Sequence, residues 1–147
     1  MRPFYTPKAE KIILALAVAG VLFSGYLSAV KFFTKGCALN EPCPYVLGYP
    51  ACWYGLAMYL AIFIAALLSD LGYAAAVRAH RFIFGMSGLG ILFSGYVIWG
   101  ELPALLVRGL RAYTLGLPSC AYGLIMFVMI SILSWRVVRA SARSALS

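Results

Sequence analysis

The octapeptide Gly-Val-Leu-Phe-Ser-Gly-Tyr-Leu at positions 20–27 returns as Gly-Ile-Leu-Phe-Ser-Gly-Tyr-Val at positions 90–97. A second pair of similar segments, positions 45–58 and 113–126, has nearly the same spacing, and nine of its fourteen aligned positions are identical. The identical positions include Gly, Pro, Cys and Tyr as well as aliphatic residues, so chance is a poor explanation. The chain is therefore predicted to consist of two copies of one unit.

The composition indicates the environment in which this unit folds. Of the 147 residues, 64% are hydrophobic and 11% are charged, and the mean hydropathy is +0.93. Soluble domains have about 45–50% apolar and about 25% charged residues, and disordered chains are poor in aromatic residues. Both classes are excluded, and the net charge of +8 does not indicate nucleic-acid binding. The sequence predicts an integral membrane protein.

Long apolar stretches separate the charged residues, and about twenty residues in a helix cross the hydrocarbon core of a bilayer. The predicted spans are residues 12–33, 50–69, 82–100 and 118–136. We expect one all-α domain over residues 1–147, a four-helix transmembrane bundle. The repeat, residues 11–69 and 82–136, is a two-helix hairpin, so both copies insert the same way up, related by an approximate two-fold axis along the membrane normal. The apolar runs within the spans contain no charged residue, which argues against an ion pathway.

The distribution of Lys and Arg predicts the orientation. Eight of these twelve residues fall in the N-terminal segment, the middle loop and the C-terminal tail, and four fall in the first and third loops. Cytoplasmic loops carry the excess of positive charge, so both termini are predicted to be cytoplasmic in a cell inner or plasma membrane. His80 lies in the middle loop and is predicted to be a solvated surface residue. The first span has a repeated counterpart, so we expect it to be retained rather than cleaved as a signal peptide.

All four cysteines fall on the predicted extracytoplasmic side, where disulfides persist. Cys37 and Cys43 lie in the first outer loop. Cys52 and Cys120 each follow a proline by two residues, which places them in the first turn of a helix, where backbone N–H groups favour a thiolate. The alternatives are a static staple for the loop pair and a small apolar packing residue for each helix cysteine. Four cysteines allow three pairings.

Residues beside the helix cysteines are candidates for contact with a ligand. Gly55 and Gly123 lie three residues further on and clear space for a flat ring or for a packed helix. Tyr54 and Tyr122 belong to an aromatic belt at the membrane interface or contact a ligand. Tyr26 and Tyr96 are predicted to lie deeper and to hydrogen-bond across the bundle. The chain has no His-rich cluster that would indicate a metal.

With these features the chain resembles the vitamin K epoxide reductase family and the related bacterial disulfide-bond formation protein B. The resemblance implies a four-helix membrane oxidoreductase that passes electrons from a thioredoxin-like extracytoplasmic protein to a quinone of the ubiquinone, menaquinone or vitamin K type. Cys37 and Cys43 match the family's loop pair, and Cys120 matches the second cysteine of its CxxC motif. Leu117 stands at the motif's first cysteine, and we expect Cys52 to replace it as the partner of Cys120.

The sequence therefore predicts a membrane thiol–disulfide oxidoreductase that acts in disulfide-bond formation, with lipid, quinone and a thioredoxin-like protein as partners. The predicted catalytic residues are Cys37, Cys43, Cys52 and Cys120. The alternative is a non-enzymatic membrane module, a small transporter or a scaffold stapled by disulfides. A polar channel along the pseudo-axis would favour transport, and an apolar pocket that opens sideways next to Cys120 would favour a quinone enzyme.

Overall fold

The computed structural model describes residues 7–36, 45–112 and 116–146. Four long helices account for most of these residues. They are α1 (Pro7–Thr34), α2 (Ala51–Asp70), α3 (Ala76–Arg108) and α4 (Ser119–Leu146). Each helix is long and apolar enough to cross a membrane, so the chain is a multi-pass membrane protein with the predicted all-α four-helix fold. Helix α1 packs on α2, α2 on α3, α3 on α4, and α4 on α1.

Three of the helices extend beyond the apolar segments that predicted them. Helix α1 begins before residue 12, α4 continues past residue 136, and α3 exceeds the predicted 82–100 at both ends. Charged residues do not end a helix at a membrane interface, because polar side chains are solvated there while the backbone hydrogen bonds continue. Glu10 and Glu101 therefore belong to α1 and α3, although both lie outside the predicted spans.

Helix α3 also incorporates residues 101–108 of the predicted third loop. Residues 102–111 have the composition of a separate amphipathic stretch, yet α3 continues through Pro103 to Arg108, and Gly109 is its C-cap. Gly109 has a φ of 72°, a left-handed conformation that glycine adopts without strain, and a short 3-10 helix, Leu110–Ala112, follows. The connection between α3 and α4 is consequently shorter than the sequence suggests.

The interior of the bundle is organised by two glycines and two aromatic rings. Tyr59 of α2 lies against Gly20 of α1, and Phe127 of α4 lies against Gly90 of α3. A Cβ atom at Gly90 would be 2.6 Å from the Phe127 ring, and one at Gly20 would overlap the Tyr59 ring. The two rings stack on each other with centroids 4.2 Å apart and planes 10° apart. Since the alignment of the repeats matches the two glycines with each other and the two rings with each other, these contacts are equivalent in both copies.

A second set of contacts joins the repeats to each other. Tyr54 of α2 packs on Phe93 of α3 with centroids 5.4 Å apart, and Tyr122 of α4 packs on Phe23 of α1 at 6.5 Å. The alignment of the repeats matches Tyr54 with Tyr122 and Phe93 with Phe23, so these two pairs are also equivalent. The two hairpins therefore pack around an approximate two-fold axis, and the Tyr59–Phe127 stack lies on that axis.

The prediction that Tyr26 and Tyr96 hydrogen-bond across the bundle is wrong. Both face outward, with 59% and 70% of their surface exposed. The buried stripe of α1 includes Gly20, Ser24 and Ser28, and a residue two positions from Ser24 is rotated about 200° away from that stripe. These tyrosines therefore belong to the surface that contacts lipid.

The prediction for His80 is also wrong, because α3 begins at Ala76 and the imidazole is fully buried. His80 precedes the buried Ile83 by three residues, so it belongs to the inward stripe of α3. The neighbouring Arg78 and Arg81 point outward. A histidine between two arginines is typical of a solvated loop, whereas here the helix separates these three side chains onto different faces.

Candidate functional site

A small β-hairpin leads into α2 and positions Cys52. Its strands, Tyr45–Val46 and Tyr49–Pro50, are antiparallel, and the turn residues Leu47 and Gly48 both have positive φ. Positive φ at both central residues gives a turn whose twist matches that of the strands. Pro50 then forms the N-cap of α2, so Cys52 is the second residue of the helix. The predicted first-turn position of Cys52 is confirmed.

Helix α4 begins in the same way. Gly116 has a φ of 78°, as its counterpart Gly48 has 85°, and Pro118 precedes the first helical residue. The backbone N–H of Ala121 donates to the Pro118 carbonyl at 2.9 Å, which closes the first turn. Cys120 is the second residue of α4 and is half-buried, like Cys52. The two thiols therefore occupy equivalent positions at the same end of the bundle.

Cys52 and Cys120 are not joined to each other by a disulfide in the structure. Their predicted pairing stays a prediction. Cys37 and Cys43 lie outside the described residues, so their predicted roles stay predictions. No group of three or more His, Cys, Asp or Glu side chains that could hold a metal ion occurs within residues 7–36, 45–112 and 116–146.

The four predicted ligand-contacting residues lie in contacts between helices. Besides packing on Phe93, Tyr54 donates a hydrogen bond of 3.1 Å to the Val46 carbonyl, which ties the β-hairpin to α2. A Cβ atom at Gly55 would be 3.8 Å from the Ser24 hydroxyl. Helix α1 therefore lies at ordinary van der Waals distance from Gly55 and occupies the space beside it.

In the second hairpin, Gly123 and Tyr122 also lie in contacts between helices. The Tyr59 hydroxyl donates to the Gly123 carbonyl at 2.8 Å and lies 3.7 Å from the position of a Cβ atom on Gly123. Tyr122 packs on Phe23. Of the two interpretations of Gly55 and Gly123, helix packing is the one that these contacts fit.

A groove open to the side lies between α1 and α2, and other residues line it. Its volume is about 530 Å³, and its walls are mostly apolar. Its lining residues are Gly25, Ser28, Ala29, Phe32, Phe33, Trp53, Leu56, Ala57 and Leu60. Trp53 follows Cys52 directly, and Leu56, four residues on, lies on the same face of α2 as Cys52. The groove is therefore lined by the residue that follows Cys52, although Cys52 itself does not belong to the lining, whereas the sequence suggests a pocket beside Cys120.

Among the described residues, Ser28 supplies the one hydroxyl in the lining. Its relative exposure is 8%, and this hydroxyl has no hydrogen-bond partner among the described residues. A buried hydroxyl without a partner loses the hydrogen bonds it made in water, which costs about 1–3 kcal/mol. The hydroxyl oxygen is itself buried, so the Ser28 side chain must rotate toward the groove before it can donate to an oxygen atom of a ligand.

Sequence reasoning missed this groove, although a signal for it exists in the comparison of the repeats. Ser28, Ala29 and Ala57 correspond to Ile98, Trp99 and Ile125 in the second hairpin. Each of these three small residues is thus matched by a larger one. Small residues at these three positions of α1 and α2 leave the space that forms the groove.

The chain matches no family model and no curated protein sequence.

Proposed function

We propose that this protein is a membrane thiol–disulfide oxidoreductase that transfers electrons from the dithiol of a thioredoxin-like protein to a membrane quinone. The observation that carries the proposal is the equivalent placement of Cys52 and Cys120, each half-buried in the first turn of its helix, with an apolar groove lined by Trp53, the residue after Cys52. The resemblance of the sequence to the vitamin K epoxide reductase family supports the same function.

The thiol steps are two exchanges. The partner's dithiol reduces a Cys37–Cys43 disulfide and is itself oxidised to a disulfide. The Cys37 and Cys43 thiols then reduce a Cys52–Cys120 disulfide and become a disulfide again. Each exchange moves two electrons, and a thiolate attacks one sulfur while the other leaves. Oxidation of the Cys52 and Cys120 thiols releases two electrons and two protons, which convert a quinone to a quinol.

The groove has properties that suit a quinone. Its volume is within the range of about 300–1,000 Å³ typical of small-molecule sites, and its opening to the side allows entry from lipid. The Ser28 hydroxyl supplies a donor for a quinone carbonyl, and the apolar residues around it suit an isoprenoid tail. We therefore place the quinone between α1 and α2, and Ser28 is proposed to orient it.

The packed axis supports this proposal over transport. The Tyr59–Phe127 stack lies between the two hairpins, and Ile13, Ile83 and Ile130, each fully buried, belong to the same core. These side chains fill the path along which a channel between the repeats would run. We further propose that both termini are cytoplasmic and that the four cysteines face the oxidising side, as the distribution of Lys and Arg favours.

Trapping of free thiols tests the proposal. The purified protein in lipid nanodiscs is reduced, freed of reductant and exposed anaerobically to a soluble ubiquinone or menaquinone analogue. Maleimide–polyethylene glycol then counts the remaining thiols. We expect the wild type to lose thiols in pairs, and Cys52→Ser and Cys120→Ser to abolish the response. Ser28→Ala is expected to slow it several-fold, while Ser24→Ala, which does not line the groove, leaves the rate unchanged.

Unchanged thiols in the wild type with every quinone analogue would overturn the proposal. Equal oxidation of wild type and Cys120→Ser would overturn the role of the helix pair. A membrane-impermeant maleimide applied to intact cells after reduction of their disulfides tests the orientation separately, because it labels Cys37 and Cys43 only if the first loop is external.

A further inference from the structure

Helices α3 and α4 bring two aromatic rings together on the outer surface of the second hairpin. Phe84 of α3 packs on Trp135 of α4 with centroids 5.3 Å apart, and both side chains remain exposed, by 38% and 44%. Gly90 meets Phe127 further along, so the two helices are antiparallel. The rings lie at the ends of the predicted spans 82–100 and 118–136, on the side opposite to the helix cysteines. Aromatic rings in such a position are located where the hydrocarbon meets the lipid headgroups.

Two exposed arginines lie one helical turn beyond these rings. Arg81 precedes Phe84 by three residues and Arg139 follows Trp135 by four, so each shares a helix face with the neighbouring ring. Because the helices are antiparallel, both arginines are displaced toward the same end, by about 4.5 Å and about 6 Å along the helix axes. The Arg139 guanidinium carbon lies 5.2 Å from the Trp135 ring centroid, a cation–π distance. Both guanidinium groups therefore extend from one outer surface, on neighbouring helices and at nearly the same level.

These two helices supply no negative charge to this surface. Helix α4 contains no acidic residue, and the one acidic residue of α3, Glu101, lies near its other end. Within the part of the chain that the structure describes, neither Arg81 nor Arg139 forms an ion pair. Three further arginines of α3 and α4 are exposed at the same end, namely Arg78, Arg136 and Arg143. Like charges on neighbouring helices repel each other, so an anion bound between them is favoured.

The first hairpin lacks this arrangement of rings and arginines. Three of the four positions are occupied there by leucine, because the alignment of the repeats matches Phe84, Trp135 and Arg139 with Leu14, Leu67 and Leu71. The fourth position retains a cation, since Lys11 corresponds to Arg81. The combination is therefore a property of one side of the bundle and not of both.

We propose that Arg81, Arg139 and Trp135 form a binding site for the phosphate group of an anionic phospholipid. Guanidinium groups bind phosphate oxygens through paired N–H donors, and the Trp135 ring holds Arg139 in position. A zwitterionic lipid is a poorer ligand, because its own ammonium group is repelled by the surrounding arginines. The exposed rings contact lipid tails, which favours a lipid over a free phosphate ion. The site does not depend on the proposed thiol chemistry.

Quenching of tryptophan fluorescence in lipid vesicles tests the proposal. Replacement of Trp53 and Trp99 by phenylalanine leaves Trp135 as the single tryptophan. Mixed vesicles of phosphatidylcholine and phosphatidylglycerol, with brominated acyl chains on one lipid or the other, then report which lipid lies against this ring. We expect phosphatidylglycerol to bind there about tenfold more tightly, and Arg81→Gln and Arg139→Gln each to reduce this preference several-fold.

Lys11→Gln is the matched control, since it removes one exposed charge at the position equivalent to Arg81. It is expected to leave the lipid preference at Trp135 unchanged. Equal quenching by the two brominated lipids with both arginines present would overturn the proposal. An equal loss of preference with Lys11→Gln would also overturn it, because the lipid would then respond to total charge. If the single-tryptophan protein does not fold, native mass spectrometry of the otherwise unchanged chain and its arginine variants decides, by the number of phosphatidylglycerol molecules that each retains.

Discussion

The hairpin of α1 and α2 and the hairpin of α3 and α4 share their inward contacts and differ on the surface that faces outward. Gly20 with Tyr59 has its counterpart in Gly90 with Phe127, at equivalent positions of the repeat. On the outside, Ala57 of the first hairpin corresponds to Ile125 of the second, and only the first of these lines the groove. The interior contacts are thus equivalent in both copies, whereas the outward-facing surface of the first hairpin forms a groove.

The loops ahead of the second helices differ in the same way. By position, Cys43 in the first loop corresponds to Arg111 in the third, so two cysteines occur in one loop and none in the other. The helix cysteines, in contrast, are present in both hairpins. Under the proposed function, both hairpins supply one thiol each to a symmetric pair, and the first hairpin alone carries the loop that exchanges electrons with a partner.

The largest effect is expected from the two buried glycines. Gly20→Ala and Gly90→Ala each place a methyl group against an aromatic ring that is itself held in the central stack, so each should destabilise the protein by about 1–3 kcal/mol. Thermal unfolding in detergent measures this. Gly25→Ala and Gly95→Ala are the controls, because the nearest atom to a Cβ at Gly25 is 3.9 Å away and alanine favours the helix.

Equivalence of the hairpins requires that the two buried variants lose similar stability. A large loss for Gly90→Ala and none for Gly20→Ala would show that the interior contacts are not equivalent. Destabilisation by the control variants to the same extent would show that any side chain at these helix positions is harmful, whatever its contacts.

An intermediate effect is expected when a groove residue of the first hairpin is replaced by the residue found at the equivalent position of the second. Ala57→Ile introduces into the groove the side chain that the second hairpin carries at this position. We expect quinone-dependent oxidation of the thiols to slow by about tenfold, which corresponds to about 1.4 kcal/mol, without loss of thermal stability. Ile125→Ala is the matched change in the other hairpin and should leave the rate unaltered. Equal rates for Ala57→Ile and wild type would show that the quinone does not bind in this groove.

Much of the fold can be predicted from the sequence, because a membrane imposes simple rules. Uncharged stretches of about twenty residues predict four helices, and Pro50 and Pro118 predict where α2 and α4 begin. The first-turn positions of the cysteines follow from these prolines.

The faces of the helices cannot be predicted in this way. Lipid-facing residues are as apolar as buried ones, so hydrophobicity does not distinguish the inward side of α1 from the outward side. The prediction for Tyr26 is wrong for that reason. The prediction for His80 is wrong because a charged stretch marks the end of the apolar segment but not the end of the helix. The groove depends on side-chain sizes at Ala29 and Ala57, which acquire meaning only when the helices are packed.

The smallest effect concerns the hydroxyl that distinguishes the two central rings. Tyr59 donates to the Gly123 carbonyl at 2.8 Å, and Phe127 has no hydroxyl with which to reach the equivalent carbonyl of Gly55. Tyr59→Phe should cost about 0.5–1 kcal/mol in thermal unfolding, the range for one such hydrogen bond inside a membrane protein. Because the surroundings of the two rings are related by the pseudo-two-fold axis, Phe127→Tyr in the Tyr59→Phe background should recover that loss. If the double variant does not regain the lost stability, Gly55, which lies beside the Ser24 hydroxyl, offers no equivalent acceptor. The approximate symmetry would then include the two rings but not the hydrogen bond of Tyr59.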